Sequence, residues 1–402
     1  MRILMLSQFY PPILGGEEQH VRHLAIELTR RGHAVEVLTI ATPGTEVGAE
    51  MEDGMWVHRV STTAQRIPWA YSDPGRPHAL PLPDPETARA IGRVIDSGRF
   101  DVLHAHNWIA NSALGAAGRS NCPLVLTLHD YSHVCATKRF MRRERVCSGP
   151  GLRCVPCATS HYGALIGAPT AVANAVASLR RRSNVAAFIA VSRSVADRSE
   201  LFQEGVPFEV IPNFVPDELV ESRSSSNQGG PLLYVGDLSR DKGVEVLVGA
   251  YRRLRDPPPL VLVGRRVPGT RIDPIAGVRV LDPVPHNEVL PLIRSARVVV
   301  VPSIWPDPCP TVVLEAMAMG RPVVAAASGG IIDMVEDGVT GRLVTPENQA
   351  ALGSALDDAL LAPDVATRMA EAGLVSVRRF TASAVVERIE ALYERVASPE
   401  AG

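Results

Sequence analysis

Short runs of apolar, often β-branched residues recur along the chain and alternate with longer amphipathic stretches. Apolar runs bounded by turn residues are typical of strands buried on both faces of a parallel sheet. The pattern predicts strands at Arg2–Ser7, Ala34–Ile40, Met55–Val60, Asp101–His104, Pro123–Leu128, Ala187–Val191, Glu209–Ile211, Leu232–Val235, Leu260–Val263, Val278–Leu281, Val298–Val301, Pro322–Ala326 and Arg342–Val344.

Helical periodicity and capping residues fill the intervals between these strands. Helices are predicted at Glu17–Arg31, Pro85–Asp96, Gly163–Arg182, after Ser192, after Gly243, and at His286–Ser295, Thr311–Met319, Glu347–Leu361, Pro363–Arg378 and Ser383–Val396. Strands that alternate with helices in this way indicate an α/β fold built on doubly wound parallel sheets.

The length of 402 residues exceeds one ordinary core and predicts two domains. A polar stretch, ESRSSSNQGG at 221–230, interrupts the pattern, which restarts as a strand at Leu232. We therefore predict a first domain at 1–220, a linker at 221–230 and a second domain at 231–378, with a last helical segment at 379–402.

Composition narrows the class of partner. The formal net charge is −2, which gives no overall basic character for a nucleic-acid partner. No apolar run approaches the ~18 residues of a membrane span. The N-terminus lacks the apolar region and cleavage site of a signal peptide, so a cytoplasmic location is expected.

A glycine pair, Gly15–Gly16, separates the first strand from the first helix. Glycines let a ligand approach the backbone, and the helix start offers free N–H groups for an anion. A plain turn is the alternative interpretation. The pair is not the dinucleotide-binding GxGxxG pattern, and no acidic residue follows at the ribose position.

Two histidines, His106 and His129, follow strands that are consecutive in sequence. Groups at the carboxyl ends of neighbouring parallel strands share the edge of the sheet where ligands bind. One histidine alone would more often have a packing or surface role, whereas two at equivalent strand ends favour a site.

The segment Val298–Val344 combines a buried strand, a proline-rich loop, a helix and a second strand. Asp307 lies in the loop and Glu315 in the helix, so both acids can face a ligand at the helix N-terminus. The free N–H groups there suit phosphate or a polarised sugar oxygen. A generic strand–helix–strand unit remains the alternative on spacing alone.

Four cysteines crowd into one stretch with a terminal CxxC: Cys135, Cys147, Cys154 and Cys157. This spacing predicts a structural zinc knuckle that would hold an insertion at 131–160, with unrelated reduced thiols as the alternative. Basic residues lie between the cysteines, and Arg180–Arg182 form a second basic cluster. Such runs are usually solvated, but they also suit anionic lipid head groups or a polyprenyl phosphate.

Taken together, several stretches resemble retaining, nucleotide-sugar-dependent glycosyltransferases of family 4, which have the GT-B fold. PDPCPTVVLEA at 306–316 is similar to their E-x7-E region, and GDLSRDKG at 236–243 to their G-R-L-x-x-x-K-G loop. IPNFV at 211–215 is similar to the segment before their linker. The cysteine-rich insertion looks like one found in a subset of these enzymes.

The resemblance implies two Rossmann-like domains facing a central cleft, with the last helix crossing back to the first domain. It implies transfer of a hexosyl group from a UDP or GDP sugar, without a metal cofactor. The acceptor would be a glycan, a lipid-linked sugar or a small molecule in polysaccharide or glycoconjugate synthesis. A lipid-linked acceptor would involve peripheral contact with the inner face of an anionic cell membrane.

The resemblance also assigns roles to single residues. It implies that Lys242 binds the donor diphosphate, that Asp307 and His129 hold the donor sugar, and that Glu315 binds the ribose. Further substrate-binding positions are implied at Gly15, Gly16, His106, Arg240, Cys309, Pro310, Thr311 and Val312.

Three positions depart from the family pattern. Asp237 stands where the family has a diphosphate-binding arginine, and Arg240 is the expected compensation. Asp307 and Asp333 each replace a glutamate. Asp237 therefore leaves open a non-catalytic sugar-nucleotide-binding protein, and an epimerase or phosphorylase of the same fold is a further alternative.

Overall fold

The computed structural model describes residues 1–13, 15–67, 77–203, 205–220, 229–272 and 274–398. Most of the predicted linker, at 221–228, lies outside these described residues. The chain divides into two compact units. The first contains Met1–Pro212 and the chain from Val386 onward, and the second contains Asn213–Val385.

The first unit is built on a large parallel sheet. Its strands are β1 (Arg2–Ser7), β2 (Ala34–Ile40), β3 (Gly48–Glu52), β4 (Met55–Val60), β5 (Val102–His106), β6 (Leu124–Leu128), β7 (Met141–Arg142), β8 (Arg145–Val146), β9 (Ala187–Ala190) and β10 (Phe208–Val210). Eight of them form one sheet in the order β10-β9-β6-β5-β1-β2-β4-β3, and β7 and β8 form a separate hairpin. All neighbours in the large sheet are parallel except the edge pair β3 and β4.

Helices of the first unit follow its strands along the chain. They are α1 (Gly16–Arg30), α2 (Pro85–Gly98), α3 (Ala110–Ser120), α4 (Cys154–Tyr162), α5 (Ala164–Asn184) and α6 (Arg193–Arg198). Side chains cap two of these helices: Asp84 accepts a hydrogen bond from the Thr87 amide, and Ser192 accepts one from the Val195 amide.

The second unit repeats the design with a six-stranded sheet. Its strands are β11 (Leu232–Val235), β12 (Leu260–Val263), β13 (Val278–Leu281), β14 (Val298–Val301), β15 (Val323–Ala326) and β16 (Arg342–Val344). They are all parallel, in the order β13-β12-β11-β14-β15-β16. The Val-only strand β14 is central and buried throughout, as a continuous apolar run requires.

Helices of the second unit are α7 (Val244–Tyr251), α8 (His286–Ser295), α9 (Thr311–Ala318), α10 (Ile331–Met334), α11 (Gln349–Leu361), α12 (Pro363–Ser376) and α13 (Ala382–Ala397). The helix α13 begins in the second unit, and its residues from Val386 onward belong to the first. In the first unit Tyr393 donates to or accepts from His104 Nδ1 at 2.6 Å, and Glu390 pairs with Arg31 at 2.9 Å.

The predicted α/β class with two doubly wound sheets is confirmed. The sequence did not predict β3, the hairpin of β7 and β8, α3, α4 or α10. The strand β3 has the sequence GAEME and is almost fully exposed at the sheet edge, so it carries no apolar pattern. No helix within the described residues is long and apolar enough to cross a bilayer.

Candidate active site

In the second unit, Asp307 lies in the loop between β14 and α9 and is 4% exposed. Its Oδ2 accepts hydrogen bonds from Lys242 Nζ at 2.7 Å and from Ser303 Oγ at 3.2 Å. Lys242 Nζ also lies 4.7 Å from the centre of the Trp305 ring. The structure thus brings together two residues that lie 65 positions apart in sequence.

Two glycines fix this loop by close backbone packing. Gly329 has a φ of +58°, and a Cβ there would lie 2.2 Å from the Asp307 carbonyl oxygen. The neighbouring Gly330 amide donates to that same oxygen at 2.7 Å. Gly243, with a φ of +76°, packs equally closely on the Pro302 carbonyl. Larger side chains would separate the loops and move Lys242 away from Asp307.

Glu315 lies inside α9 and is 6% exposed. His286 Nε2, at the start of α8, lies 3.0 Å from Glu315 Oε1. The hydrogen bond to Glu315 raises the pKa of His286, outweighing the opposite effect of its partial burial. His286 was not predicted as a site residue, although it occupies the helix start that follows β13, where the strand-end rule applies.

The other predicted positions in the second unit surround the start of α9. Pro310 is the residue before the helix, and Thr311 and Val312 are its first two residues. The side chain of Cys309 is buried against Met334, 3.9 Å from its sulfur, and the Cys309 carbonyl accepts from Asn213 Nδ2 at 3.2 Å. Amides in the first turn of a helix have no intrahelical acceptor, so they remain available to an anion.

Asp237, the departure from the family pattern, forms an ion pair with Arg265 at 2.8 Å. Both side chains are about half exposed, at 42% and 51%. Arg265 follows β12 at the sheet edge where Asp237 follows β11, and sequence reasoning did not identify it. The expected compensating residue, Arg240, is exposed in the same loop. A guanidinium therefore neutralises the carboxylate that stands in place of arginine.

In the first unit, His106 and His129 are in direct contact, as their strand-end positions predicted. His106 Nδ1 lies 2.9 Å from His129 Nε2, and the rings stack with centres 5.2 Å apart. The His20 ring lies 5.1 Å from that of His129. Burial lowers the pKa values of His20 and His106 well below the usual range, so both are neutral at pH 7.

The glycine pair lies at the start of α1, with Gly15 as the residue before the helix and Gly16 as its first residue. Glu17 comes next, and its Oε2 accepts from Asn107 Nδ2 at 2.8 Å. Asn107 Oδ1 in turn accepts from the His129 amide at 3.2 Å. Asn107 thus connects the glycine loop to the histidines.

The surroundings of Glu17 disfavour its charge. Desolvation, together with the negative charges of Glu18 and Asp130, raises the pKa of Glu17 to about 8. Desolvation also lowers the pKa of the nearby Lys138, whose Nζ lies 4.2 Å from the centre of the Trp108 ring. Neither Glu17 nor Lys138 was predicted as a site residue, because their burial arises only from tertiary packing.

The four cysteines of the insertion are free thiols. Burial raises the pKa of Cys157, and the other three thiols are close enough to raise it further. Three of the sulfurs contact nearby oxygens, those of Thr137, Gly149 and Met141. Over the described residues, no three His, Cys, Asp or Glu side chains are arranged to hold a metal. The zinc knuckle therefore stays a prediction from the cysteine spacing alone.

Comparison with known proteins agrees with this fold and these motifs. The model of "Glycosyltransferase Family 4" matches residues 14–219, and that of "Glycosyl transferases group 1" matches residues 230–361. A glycogen synthase of Mycobacterium tuberculosis is 31% identical over 92% of this chain and 89% of its own length. A D-inositol 3-phosphate glycosyltransferase of Pseudarthrobacter chlorophenolicus is 29% identical over 92% of this chain and 88% of its own length.

Solved structures share the whole fold. Sucrose-phosphate synthase from Thermosynechococcus elongatus has a TM-score of 0.75 at 20% identity and covers 98% of both chains. Anabaena HepE, solved with UDP and glucose, has a TM-score of 0.71 at 19% identity and covers 98% of this chain and 99% of its own.

The two doubly wound units and these structural neighbours define the GT-B class of glycosyltransferase. Within that class, the chain belongs to glycosyltransferase family 4. The resemblance stated from the sequence is confirmed at the level of the family, while the cysteine-rich subset stays a prediction.

Proposed function

We propose that the protein transfers a hexosyl group from a UDP or GDP sugar to an acceptor hydroxyl, with retention of configuration at the anomeric carbon. The observation that carries this proposal is the partly buried contact of Lys242 with Asp307 beside the start of α9. It places a cation, a carboxylate and free helix amides together, which are the groups that a sugar diphosphate needs.

The donor diphosphate would bind Lys242 and the first amides of α9, at Thr311 and Val312. When it binds, the ammonium of Lys242 exchanges part of its contact with Asp307 for the phosphate oxygens. As the sugar leaves, negative charge grows on the diphosphate, and fixed donors stabilise it most at that stage. Arg240, in the same loop as Lys242, is the second cation proposed for the diphosphate.

Two buried acids divide the remaining donor contacts. Glu315 would accept hydrogen bonds from the ribose hydroxyls while His286 fixes its orientation. Asp307 would accept from hydroxyls of the donor sugar once Lys242 turns to the phosphate. In the first unit, His129, held by His106 and by Asn107, is the residue that we propose for contact with a sugar hydroxyl. These groups orient the donor, and none of them is proposed as a covalent nucleophile.

Retention without a covalent intermediate requires the acceptor oxygen to bond to the anomeric carbon on the face from which the diphosphate leaves. The bond from this carbon to the diphosphate oxygen breaks, and the acceptor proton passes to the departing phosphate. The glycine pair Gly15–Gly16 would leave room for donor phosphates and acceptor at the start of α1. No metal is required, because lysine and helix amides supply the positive field.

The names of similar proteins guide the substrate range. HepE was solved with UDP-glucose, which supports a UDP sugar as the first donor to test. The names of the relatives span a glycan polymerising enzyme and an inositol phosphate glycosyltransferase, so both acceptor classes belong in the test. A lipid-linked acceptor would add peripheral contact with an anionic membrane.

The non-catalytic alternative depended on the repelling charge of Asp237. Its ion pair with Arg265 removes much of that charge from the field at the donor site. A panel of UDP and GDP sugars, assayed for release of nucleoside diphosphate, decides between the two. Transfer predicts turnover by the wild type and its loss in Glu315→Ala, with Glu347→Ala on the surface as the control. Equal turnover by wild type and Glu315→Ala, or none by either, would contradict the proposal.

A further inference from the structure

The helix α5 exposes large apolar side chains along one face. Leu165, Val172, Val176 and Leu179 have exposed fractions of 88%, 57%, 53% and 66%. Their spacings of seven, four and three residues place them on one side of an α-helix. Ala164, Pro169 and Ala175, also exposed, extend this side. We call these seven residues the α5 apolar face.

The opposite side of α5 is buried and polar. It carries Asn174, Ser178 and Arg181 among small residues. Arg181 is 1% exposed and donates to Asn111 Oδ1, to Asn174 Oδ1 and to the His133 carbonyl. Gly167 packs against α4 so closely that a Cβ would lie 2.2 Å from the Ala158 carbonyl oxygen. The usual orientation of an amphipathic helix is therefore inverted, and polar contacts hold the apolar face outward.

The surrounding segment is strongly basic. Residues 131–184 contain nine Lys or Arg and a single acidic residue, Glu144, giving a formal charge of +8 in a chain of −2. Among these basic residues, Arg143, Arg145, Arg153 and Arg180 are exposed. Leu152, in the same segment, is 98% exposed. Exposed apolar groups and positive charge thus occur together in one continuous part of the chain.

Exposed apolar side chains together with positive charge favour one kind of partner. A second copy docked symmetrically on the α5 apolar face would bring two segments of +8 against each other, which like-charge repulsion opposes. An anionic bilayer meets both requirements, because its head groups attract arginine and its acyl boundary accepts leucine and valine.

We propose that the α5 apolar face is a membrane-binding surface, which enters the head-group region of an anionic bilayer while the neighbouring arginines contact lipid phosphates. The inference concerns a surface and does not depend on the transfer reaction proposed above. Membrane binding and nucleotide-sugar turnover can therefore fail independently.

The test is co-sedimentation of the full chain with vesicles of phosphatidylcholine containing phosphatidylglycerol, and with vesicles of phosphatidylcholine alone. We expect binding to the anionic vesicles and much weaker binding to the neutral ones. The double variant Val172→Asp, Val176→Asp should bind about tenfold more weakly, because two apolar side chains no longer leave water. Leu361→Asp, Val375→Asp, on exposed positions of α11 and α12, is the matched control and should bind like the wild type.

A second measurement covers failure of the aspartate variant to fold. A tryptophan introduced by Val176→Trp should shift its fluorescence to the blue with anionic vesicles, whereas one introduced by Val375→Trp should not. Equal binding by wild type and the Val172→Asp, Val176→Asp variant would overturn the proposal. A dimer that this variant dissociates, without vesicle binding by the wild type, would assign the surface to a second copy instead.

Discussion

The two units differ in the charge state of the side chains at the carboxyl ends of their sheets. In the second unit, buried or partly buried charges meet as close pairs, Lys242 with Asp307 and His286 with Glu315. In the first unit, His20 and His106 are kept neutral, and the pKa of Glu17 is raised to about 8. The charged pairs of the second unit suit a charged diphosphate, and the neutral groups of the first unit suit uncharged hydroxyls.

This contrast shows that two sheets of similar topology can support different chemistry when the residues in their loops differ. Both units place a loop and a helix start after a central strand. In the second, two glycines bring Lys242 and Asp307 together. In the first, Asn107 connects Glu17 with the backbone of His129. We expect the charged pair in the second unit and the neutral groups in the first to be separately necessary.

Removing the negative charge of Asp307 should reduce nucleotide-sugar turnover more than any other change considered. Asp307→Asn keeps the shape of the side chain but removes the carboxylate that contacts Lys242 and that we propose for the donor sugar. We expect kcat/KM for nucleotide-sugar turnover to fall about 100-fold. Asp256→Asn, on an exposed turn with a φ of +47° that asparagine tolerates, should have wild-type activity. Unchanged kcat/KM in Asp307→Asn would show that the charged pair is dispensable.

The protonated, neutral state of Glu17 should make the stability of the fold depend on pH. Because its pKa in the folded protein is about 8, the folded chain keeps this proton while the unfolded chain ionises near pH 4.5. Stability should therefore fall as pH rises from about 4.5 to 8, by on the order of 2–4 kcal/mol. Glu17→Gln should remove most of this slope, measured as the urea midpoint across that range.

The control for Glu17 is Glu387→Gln, on the exposed side of α13 in the same unit. It should retain the pH dependence of the wild type. A wild-type midpoint that stays constant or rises between pH 5 and 8, with the same profile in Glu17→Gln, would mean that Glu17 is ionised in the native state.

A smaller effect is expected on the pKa of His286 when its partner Glu315 is changed. The hydrogen bond to Glu315 raises its pKa, so this pair stabilises the fold below the unfolded pKa of about 6.5 and loses that contribution as pH rises through the folded value. Glu315→Gln should lower the pKa of His286, followed by NMR of the imidazole protons. His161, in the other unit, should titrate as before. An unshifted His286 would mean that Glu315 is not its partner in solution.

Prediction from sequence succeeded where one local property decided the structure. Continuous apolar runs such as Val298–Val301 and Leu260–Val263 gave strands at the predicted bounds. Edge strand β3 failed because its residues are polar and exposed. The family resemblance named Lys242, Asp307 and Glu315, and the structure brings Lys242 into contact with Asp307. No spacing rule pairs Arg265 with Asp237, since strands β11 and β12 must first be adjacent.

The difference between local pattern and tertiary packing also explains which side of α5 is buried. Helical periodicity predicted the helix, and the usual rule would turn its Leu and Val residues toward the core. The structure turns Asn174 and Arg181 inward, because Asn111 and the His133 carbonyl supply partners that only tertiary packing brings near. Orientation of a helix about its own axis thus depends on distant residues.

In the proposed function, Lys242 and its surroundings in the second unit bind the donor diphosphate. Calorimetric titration of UDP and GDP into wild type and Lys242→Ala tests it without requiring an acceptor. We expect the wild type to bind at least one of the two nucleotides, and Lys242→Ala to bind it at least about tenfold more weakly. Arg253→Ala, exposed after α7, is the control. Equal affinity in wild type and Lys242→Ala would show that Lys242 does not bind the diphosphate.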